Sequence, residues 1–124
     1  MDTRLEKEYM KGGEFLIADQ TAAEVFTSED FTDEHRMIGD TCRQYIDNEV
    51  VPNLPKLEAH EWGIARELLQ KAGELGLLGA NIPEDLGGMA LDQTSGCIIA
   101  EMVGRGSGFG STYGAQTSIG LLVE

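Results

Sequence analysis

Positive charge is what this sequence has least of. Lysine and arginine number 9 against 22 aspartates and glutamates, a formal net charge of -13 over 124 residues. Such a surface repels a phosphate backbone or an anionic membrane face, which argues against nucleic acid as a partner. Cysteine is scarce too. Cys42 and Cys97 are too few for a disulfide framework and lack the CxxC spacing of a zinc or redox site, so a reducing interior suits them. No apolar run approaches the ~20 residues of a transmembrane span. The opening Met1-Asp2-Thr3-Arg4-Leu5-Glu6-Lys7-Glu8 has neither an apolar h-region nor the acid-poor, Arg-rich pattern of a transit peptide. These absences predict a soluble, cytoplasmic protein.

What is present is enough for one core: 41% of the residues are hydrophobic and 25% charged. Charge and glycine are spread unevenly. Residues 1–62 hold 15 of the acidic residues, whereas 13 of the 16 glycines follow position 62, so tight turns and close packing belong to the second half. Residues 1–26 carry scattered apolar positions, among them Phe15, Leu16, Ile17 and Phe26, with neither a helical nor a strand period. They predict an extended arm that docks on another surface. Residues 27–124 read as a single all-α domain.

Within that domain, Thr32 stands as an N-cap before Asp33 and Glu34, and Met37/Ile38, Thr41/Cys42, Tyr45/Ile46 and Val50 recur at helical spacing. This helix is expected to end near Pro52, which lacks a backbone donor and disfavours a helical Val51. A second helix is predicted over about Glu61 to Leu75, with Ile64, Leu68, Ala72 and Leu75 on one stripe and Gly76 as a left-handed C-cap. Pro83-Glu84-Asp85-Leu86-Gly87-Gly88 reads as a turn. Asp92 caps a third helix through Val103, closed by Gly104. A last, buried helix is predicted from Ser107 onward, with Phe109 and Tyr113 on one side and Thr112, Ala115 and Ile119 on another. The chain stops in mid-run at Leu121-Leu122-Val123-Glu124, which reads as a truncation.

No motif supplies a catalytic constellation. Gly104-Arg105-Gly106-Ser107-Gly108-Phe109-Gly110 lacks glycines at i, i+2 and i+5 and follows a helix, so a helix-to-helix turn is favoured over a phosphate loop. His60-Glu61-Trp62-Gly63-Ile64 begins like a zinc helix, but isoleucine stands where the second histidine belongs. His35, among Asp33, Glu34 and Arg36, is expected on a solvated face. Cys42 and Cys97 are expected in the core, with no basic neighbour to activate them. Trp62 is expected as a packing anchor. No GxSxG elbow or triad context is present.

The order of elements is itself informative. Phe31-Thr32-Asp33-Glu34 opens a helix, Val50-Val51-Pro52 closes it, and Leu75-Gly76-Leu77-Leu78-Gly79 precedes Ile82-Pro83-Glu84-Asp85-Leu86-Gly87-Gly88. Ile98-Ile99-Ala100-Glu101, Gly104-Arg105 and Tyr113-Gly114-Ala115-Gln116-Thr117-Ser118-Ile119-Gly120 come after. Over about residues 26–124 this resembles the N-terminal helical domain of the acyl-CoA dehydrogenase family, bacterial long-chain members most of all. Two positions depart from the pattern: Ala90 stands where many members have a third glycine, and Gln116 where long-chain members often have histidine.

The resemblance implies an FAD-dependent flavoenzyme of three parts, a helical domain, a β domain and a C-terminal helical bundle, assembled as a homo-oligomer. It implies conversion of a fatty acyl-CoA to a 2-enoyl-CoA, with electrons passing to an electron-transfer flavoprotein. The catalytic glutamate and most flavin contacts of the family fall in the other two parts. This chain is therefore expected to hold no catalytic, flavin-binding or metal residue, and to be inactive and flavin-free alone. Residues matching acyl-pocket positions are Ser111, Thr112, Ala115 and Ile119. Their small side chains either line the pocket or simply let the helix pack closely. A rival reading of the whole chain is a free-standing acidic helical module that binds a basic protein partner.

Overall fold

A computed structural model describes residues 9–117, the Trp62 side chain excepted. The arm position Leu5, the pocket position Ile119 and the packing role of Trp62 thus lie outside the described part. The chain divides into two compact units, one up to Thr32 and one from Asp33. Among the described residues there is no strand, and no helix is long and apolar enough to cross a membrane.

The first unit is a series of 3-10 turns, Glu14–Leu16, Ala22–Glu24 and Ser28–Asp30. The second and third each begin with a reciprocal capping box, because Thr21 and Thr27 are followed three residues later by Glu24 and Asp30. The Thr21 amide donates to Glu24 Oε2 at 2.6 Å and the Thr27 amide to Asp30 Oδ2 at 3.0 Å. Bonds from the Thr21 amide and hydroxyl hold the Glu24 carboxyl below its usual range. Met10 N–H donates to the Glu24 carbonyl at 3.0 Å, and Tyr9 meets the Phe26 ring edge-on at 5.2 Å. Both contacts close the base of a loop over residues 11–20, whose tip residues Phe15, Leu16 and Ile17 are 43%, 75% and 90% exposed.

The second unit contains five α-helices: α1 (Asp33–Tyr45), α2 (Leu54–Glu58), α3 (Trp62–Glu74), α4 (Gln93–Gly104) and α5 (Gly108–Ala115). The inward face of α1 carries His35, Gly39, Cys42 and Tyr45, and that of α4 carries Ser95, Ile98, Ile99 and Val103. Each set repeats at three- and four-residue steps, so the two helices bury one face against each other. Helix α5 packs against α2, α3 and α4, and it drives Phe109 and Tyr113 into the centre. Two buried tyrosines also fix α3 and its exit through their hydroxyls: Tyr45 donates to the Leu68 carbonyl at 2.7 Å and Tyr113 to the Leu77 carbonyl at 2.6 Å.

The winding that begins with α1 ends at Val50, near Pro52 as expected, but the chain keeps a helical path beyond it. After Tyr45 the chain widens into a π-helical turn, Ile46–Val50, in which Val51 N–H donates to the Ile46 carbonyl. A 3-10 turn, Val51–Asn53, and then α2 continue from there, with Val51 in the helical region at φ -55°, ψ -44°. Proline is tolerated because it sits in the first turn of a new element, where its missing N–H is not needed. The Asn53 side chain donates to the Glu49 carbonyl at 2.8 Å, supplying a donor where the ladder is interrupted. No sequence signal announced the short helix α2. Elsewhere the expected punctuation holds: α3 is followed by Gly76 at φ +77°, and Asp92 caps α4.

Cys97 departs from expectation. Cys42 is fully buried, but Cys97 is exposed, because α1 and α5 cover α4 on the side of Ile98, Ile99 and Val103. Burial pushes the Cys42 thiol up to about 11, so it is a packed thiol at neutral pH and no nucleophile.

Candidate functional site

Between α3 and α4 the chain doubles back on itself and holds the turn closed with main-chain bonds. Met89 N–H donates to the Gly79 carbonyl at 3.0 Å, Ala90 N–H to Ile82 at 2.8 Å, and Leu91 N–H to Ala80 at 2.7 Å. Asn81 fastens the same clasp from its side chain, donating to the carbonyls of Leu91 (3.1 Å) and Asp92 (2.9 Å). Within it Ala90 adopts φ +48°, a left-handed conformation. A left-handed alanine costs roughly 1–2 kcal/mol, partly offset in glycine by ~0.5–1 kcal/mol of chain entropy. Ala90→Gly is therefore expected to stabilise the domain by about 0.5–1 kcal/mol, read as a higher urea midpoint at unchanged slope.

The clasp delivers Asp92 to the start of α4, where one carboxylate oxygen accepts from Ser95 N (2.8 Å) and Ser95 Oγ (2.6 Å). The other oxygen lies 2.8 Å from His35 Nε2. His35 is thus not on a solvated face: it is 8% exposed and ties the first turn of α1 to the cap of α4. Its spacing to Gly39 and Cys42 on the same helical face is the available signal, hidden by charged neighbours. Burial opposes charge on Asp92, but the Ser95 hydroxyl and amide and His35 outweigh it, so the carboxyl lies below its usual range. A depressed carboxyl contributes stability above its unfolded value, near 3.9, which is lost as pH falls through the folded one. Asp92 keeps half its side chain exposed, so the effect is moderate. Asp92→Asn should lower stability by about 1 kcal/mol at pH 7, and the gap to wild type should narrow toward pH 3 in acid titrations followed by circular dichroism.

Two clefts open beside this clasp. One, of about 190 Å3, lies between the 77–82 segment, α4 and the end of α5, with Leu78, Asn81, Ile82, Ala100 and Thr117 on its walls. The other, of about 180 Å3, is more apolar and is bounded by Met37, Thr41, Leu75 and Met89. Neither contains a lysine or arginine. Tyr113 reaches the first cleft, but burial pushes its hydroxyl up to about 12, so it stays neutral and holds the Leu77 carbonyl. Sequence reasoning named none of these cleft residues as a site; Thr117, one helical turn after the core residue Tyr113, is the one position with a legible signal.

Of the residues expected to line an acyl pocket, Ser111, Thr112 and Ala115 lie on the outer side of α5, away from Phe109 and Tyr113. Ser111 and Ala115 are exposed and Thr112 is half-buried. They share a face, but line neither cleft. Among the described residues no three of His, Cys, Asp and Glu are grouped so as to hold a metal ion. The Arg105–Ser107 stretch forms a turn between α4 and α5, and Arg105 is engaged with Asp47 at 3.2 Å.

Residues 32–123, which take in α1 to α5 and the clasp, match the family model described as "Acyl-CoA dehydrogenase, N-terminal domain". The chain belongs to the acyl-CoA dehydrogenase family. It is 47% identical over 115 residues to a probable acyl-CoA dehydrogenase of Bacillus subtilis, covering 93% of this chain and 19% of that protein. It is 35% identical over 82 residues to the mitochondrial short-chain specific acyl-CoA dehydrogenase of Rattus norvegicus, covering 66% of this chain and 20% of the other. A crystal structure of an acyl-CoA dehydrogenase complexed with FAD from Bacillus anthracis superimposes with a TM-score of 0.80 at 51% identity, covering 86% of this chain and 18% of that one.

This acyl-CoA dehydrogenase domain spans about a fifth of the length of the relatives it matches. Those relatives differ in size: 115 residues make up 19% of the Bacillus subtilis protein, whereas 82 residues make up 20% of the rat protein. The bacterial relative is therefore the longer by nearly half. Neither of these two clefts would hold a flavin by itself. Ligand pockets generally need roughly 300 Å3 or more, both clefts are smaller, and neither offers a cation to a pyrophosphate.

Proposed function

We propose that this chain serves as the N-terminal helical domain of an FAD-dependent acyl-CoA dehydrogenase that converts a fatty acyl-CoA to its 2-enoyl-CoA. In that role Ser111, Thr112 and Ala115 on the outer face of α5, together with Ile119 further along the chain, form one wall of the acyl-chain pocket. The observation that carries the reading is the match of residues 32–123 to the family's N-terminal domain. The exposure of Ser111 and Ala115 supports it, because a wall that faces another domain is uncovered when this domain stands alone. Electron-transfer flavoprotein as acceptor, a homo-oligomeric assembly and a cytoplasmic setting belong to the same proposal.

By itself the chain is inactive. Its buried thiol and tyrosines are held neutral, and Asp92 is committed to capping. Purified residues 1–124 are therefore expected to be helical, colourless and without acyl-CoA oxidation. The deciding experiment is a chimera in which this chain replaces the matched 115-residue stretch of the Bacillus subtilis relative. A yellow protein that reduces a dye acceptor with acyl-CoA supports the proposal. A chimera that folds but lacks flavin and activity, while residues 1–124 alone form a sharp monomer peak, supports the free-standing module instead.

A further inference from the structure

Methionine sulfur stands twice on the wall of the more apolar cleft. Met37 and Met89 border it and are 63% and 47% exposed. The other methionines among the described residues, Met10 and Met102, are half-buried, and Met102 packs against the core. A thioether that water can reach is open to peroxides as well, which convert it to a polar, chiral sulfoxide. At Met37 the change concerns one surface side chain of α1. At Met89 it concerns the clasp.

The Met89 side chain lies directly over Gly76, the left-handed residue that follows α3, since a Cβ built on Gly76 would collide with Met89 Sδ. The Met89 amide meanwhile donates to the Gly79 carbonyl. One residue thus holds the clasp twice, by a main-chain bond and by a sulfur seated on the exit of α3. The seat is apolar, with Ile38, Leu75, Leu77 and Leu91 around it. It has little to offer a sulfoxide: the amides of Leu75, Gly76, Met89 and Leu91 already donate to Lys71, Gly73, Gly79 and Ala80, and Thr41 carries the only hydroxyl on that wall. A sulfoxide oxygen is a polar acceptor that needs a donor, so it draws the sulfur off Gly76 toward Thr41 or toward water. The clasp then keeps its main-chain bonds but loses its apolar seat.

We propose that Met89 is a reversible oxidation site at which hydrogen peroxide loosens the clasp. The Met89 sulfur attacks one peroxide oxygen, the S–O bond forms as the O–O bond breaks, the departing hydroxide takes the proton of the transferred oxygen, and water leaves. The thioether is oxidised and the peroxide reduced by the same electron pair. Methionine sulfoxide reductases reverse the step, with electrons from a dithiol that becomes a disulfide as water leaves.

The test treats the full-length protein with hydrogen peroxide, maps sulfoxides by peptide mass spectrometry and follows amide hydrogen exchange in the same peptides. Met37 and Met89 should oxidise roughly tenfold faster than Met102, and residues 83–91 should then exchange roughly tenfold faster, while the α1 peptide around Cys42 keeps its rate. Met89→Leu should abolish the acceleration, Met37→Leu should leave it, and the reductases should restore slow exchange. The wild-type comparison carries the test by itself should Met89→Leu fail to fold. Oxidation of Met89 no faster than that of Met102, or unchanged exchange over 83–91 once Met89 is oxidised, overturns the proposal. So does an acceleration that persists in Met89→Leu, is lost in Met37→Leu, spreads to α1 or survives the reductases. No readout involves flavin or activity, so the result stands apart from the dehydrogenase reading.

Discussion

Gly88→Ala should destabilise the second unit by ~3 kcal/mol or more, a loss at the upper end of what overpacking causes. A Cβ at this position overlaps the carbonyl oxygen of Ile82, a main-chain atom that cannot swing aside as a flexible side chain would. The same few residues carry the clasp: Gly88 N–H donates to Pro83 at 3.0 Å, and the Met89, Ala90 and Leu91 amides bond back to 79–82. Each of these bonds contributes about 1 kcal/mol net, so a shift that breaks three of them reaches the stated loss. Beyond the clasp, the change should loosen Asp92 and with it the start of α4. Urea unfolding followed by circular dichroism measures it. Gly104→Ala is the control, because nothing lies within 4 Å of a Cβ there and its midpoint should scarcely move. Equal midpoints for both variants would mean that the turn rearranges freely.

Ala115→Leu in the full-length enzyme should shift chain-length preference, measured as kcat/KM across acyl-CoAs, by roughly a hundredfold toward short substrates. Each buried methylene contributes ~0.8 kcal/mol, so blocking three or four removes about 3 kcal/mol, or two orders of magnitude. The substitution is informative because Ala115 is exposed in this domain. A leucine there alters stability by no more than ~0.5 kcal/mol, which leaves activity on short substrates largely intact. Proportional losses on long and short substrates would mean that residue 115 packs against a neighbour and lines no pocket.

The sequence marks the helix ends that depend on one residue's chemistry. Gly76 adopts the left-handed cap because a Cβ is absent, and Asp92 caps α4 because its short carboxylate reaches the Ser95 amide. It is less informative where tertiary contacts override local preference. His35 lies between two charged neighbours, Glu34 and Arg36, yet its helical phase with Cys42 turns it inward to an aspartate 57 residues away, a partner no local pattern announces. Cys97 sits in an apolar run, but which side of a helix is covered depends on where other helices lie. As for the candidate site, the shared face of Ser111, Thr112 and Ala115 follows from helical spacing, whereas the two clefts depend on how the clasp folds over α4.

The π-helical turn at Ile46–Val50 also bears on how sequences of this family are to be aligned. Such a turn holds one residue more than an α-helix needs over the same rise. A relative that lacks one residue here keeps a continuous helix, and the gap is a real difference in winding. Deleting one residue within 46–50 of this chain would restore regular bonding and leave α1 in phase with the helices after it, because the wide turn holds its extra residue over nearly the same rise and rotation. His35 and Cys42 would stay in the core, whereas a deletion between them and this turn would swing both out by about 100°, so length changes are tolerated at this single turn and not in the rest of the first helix.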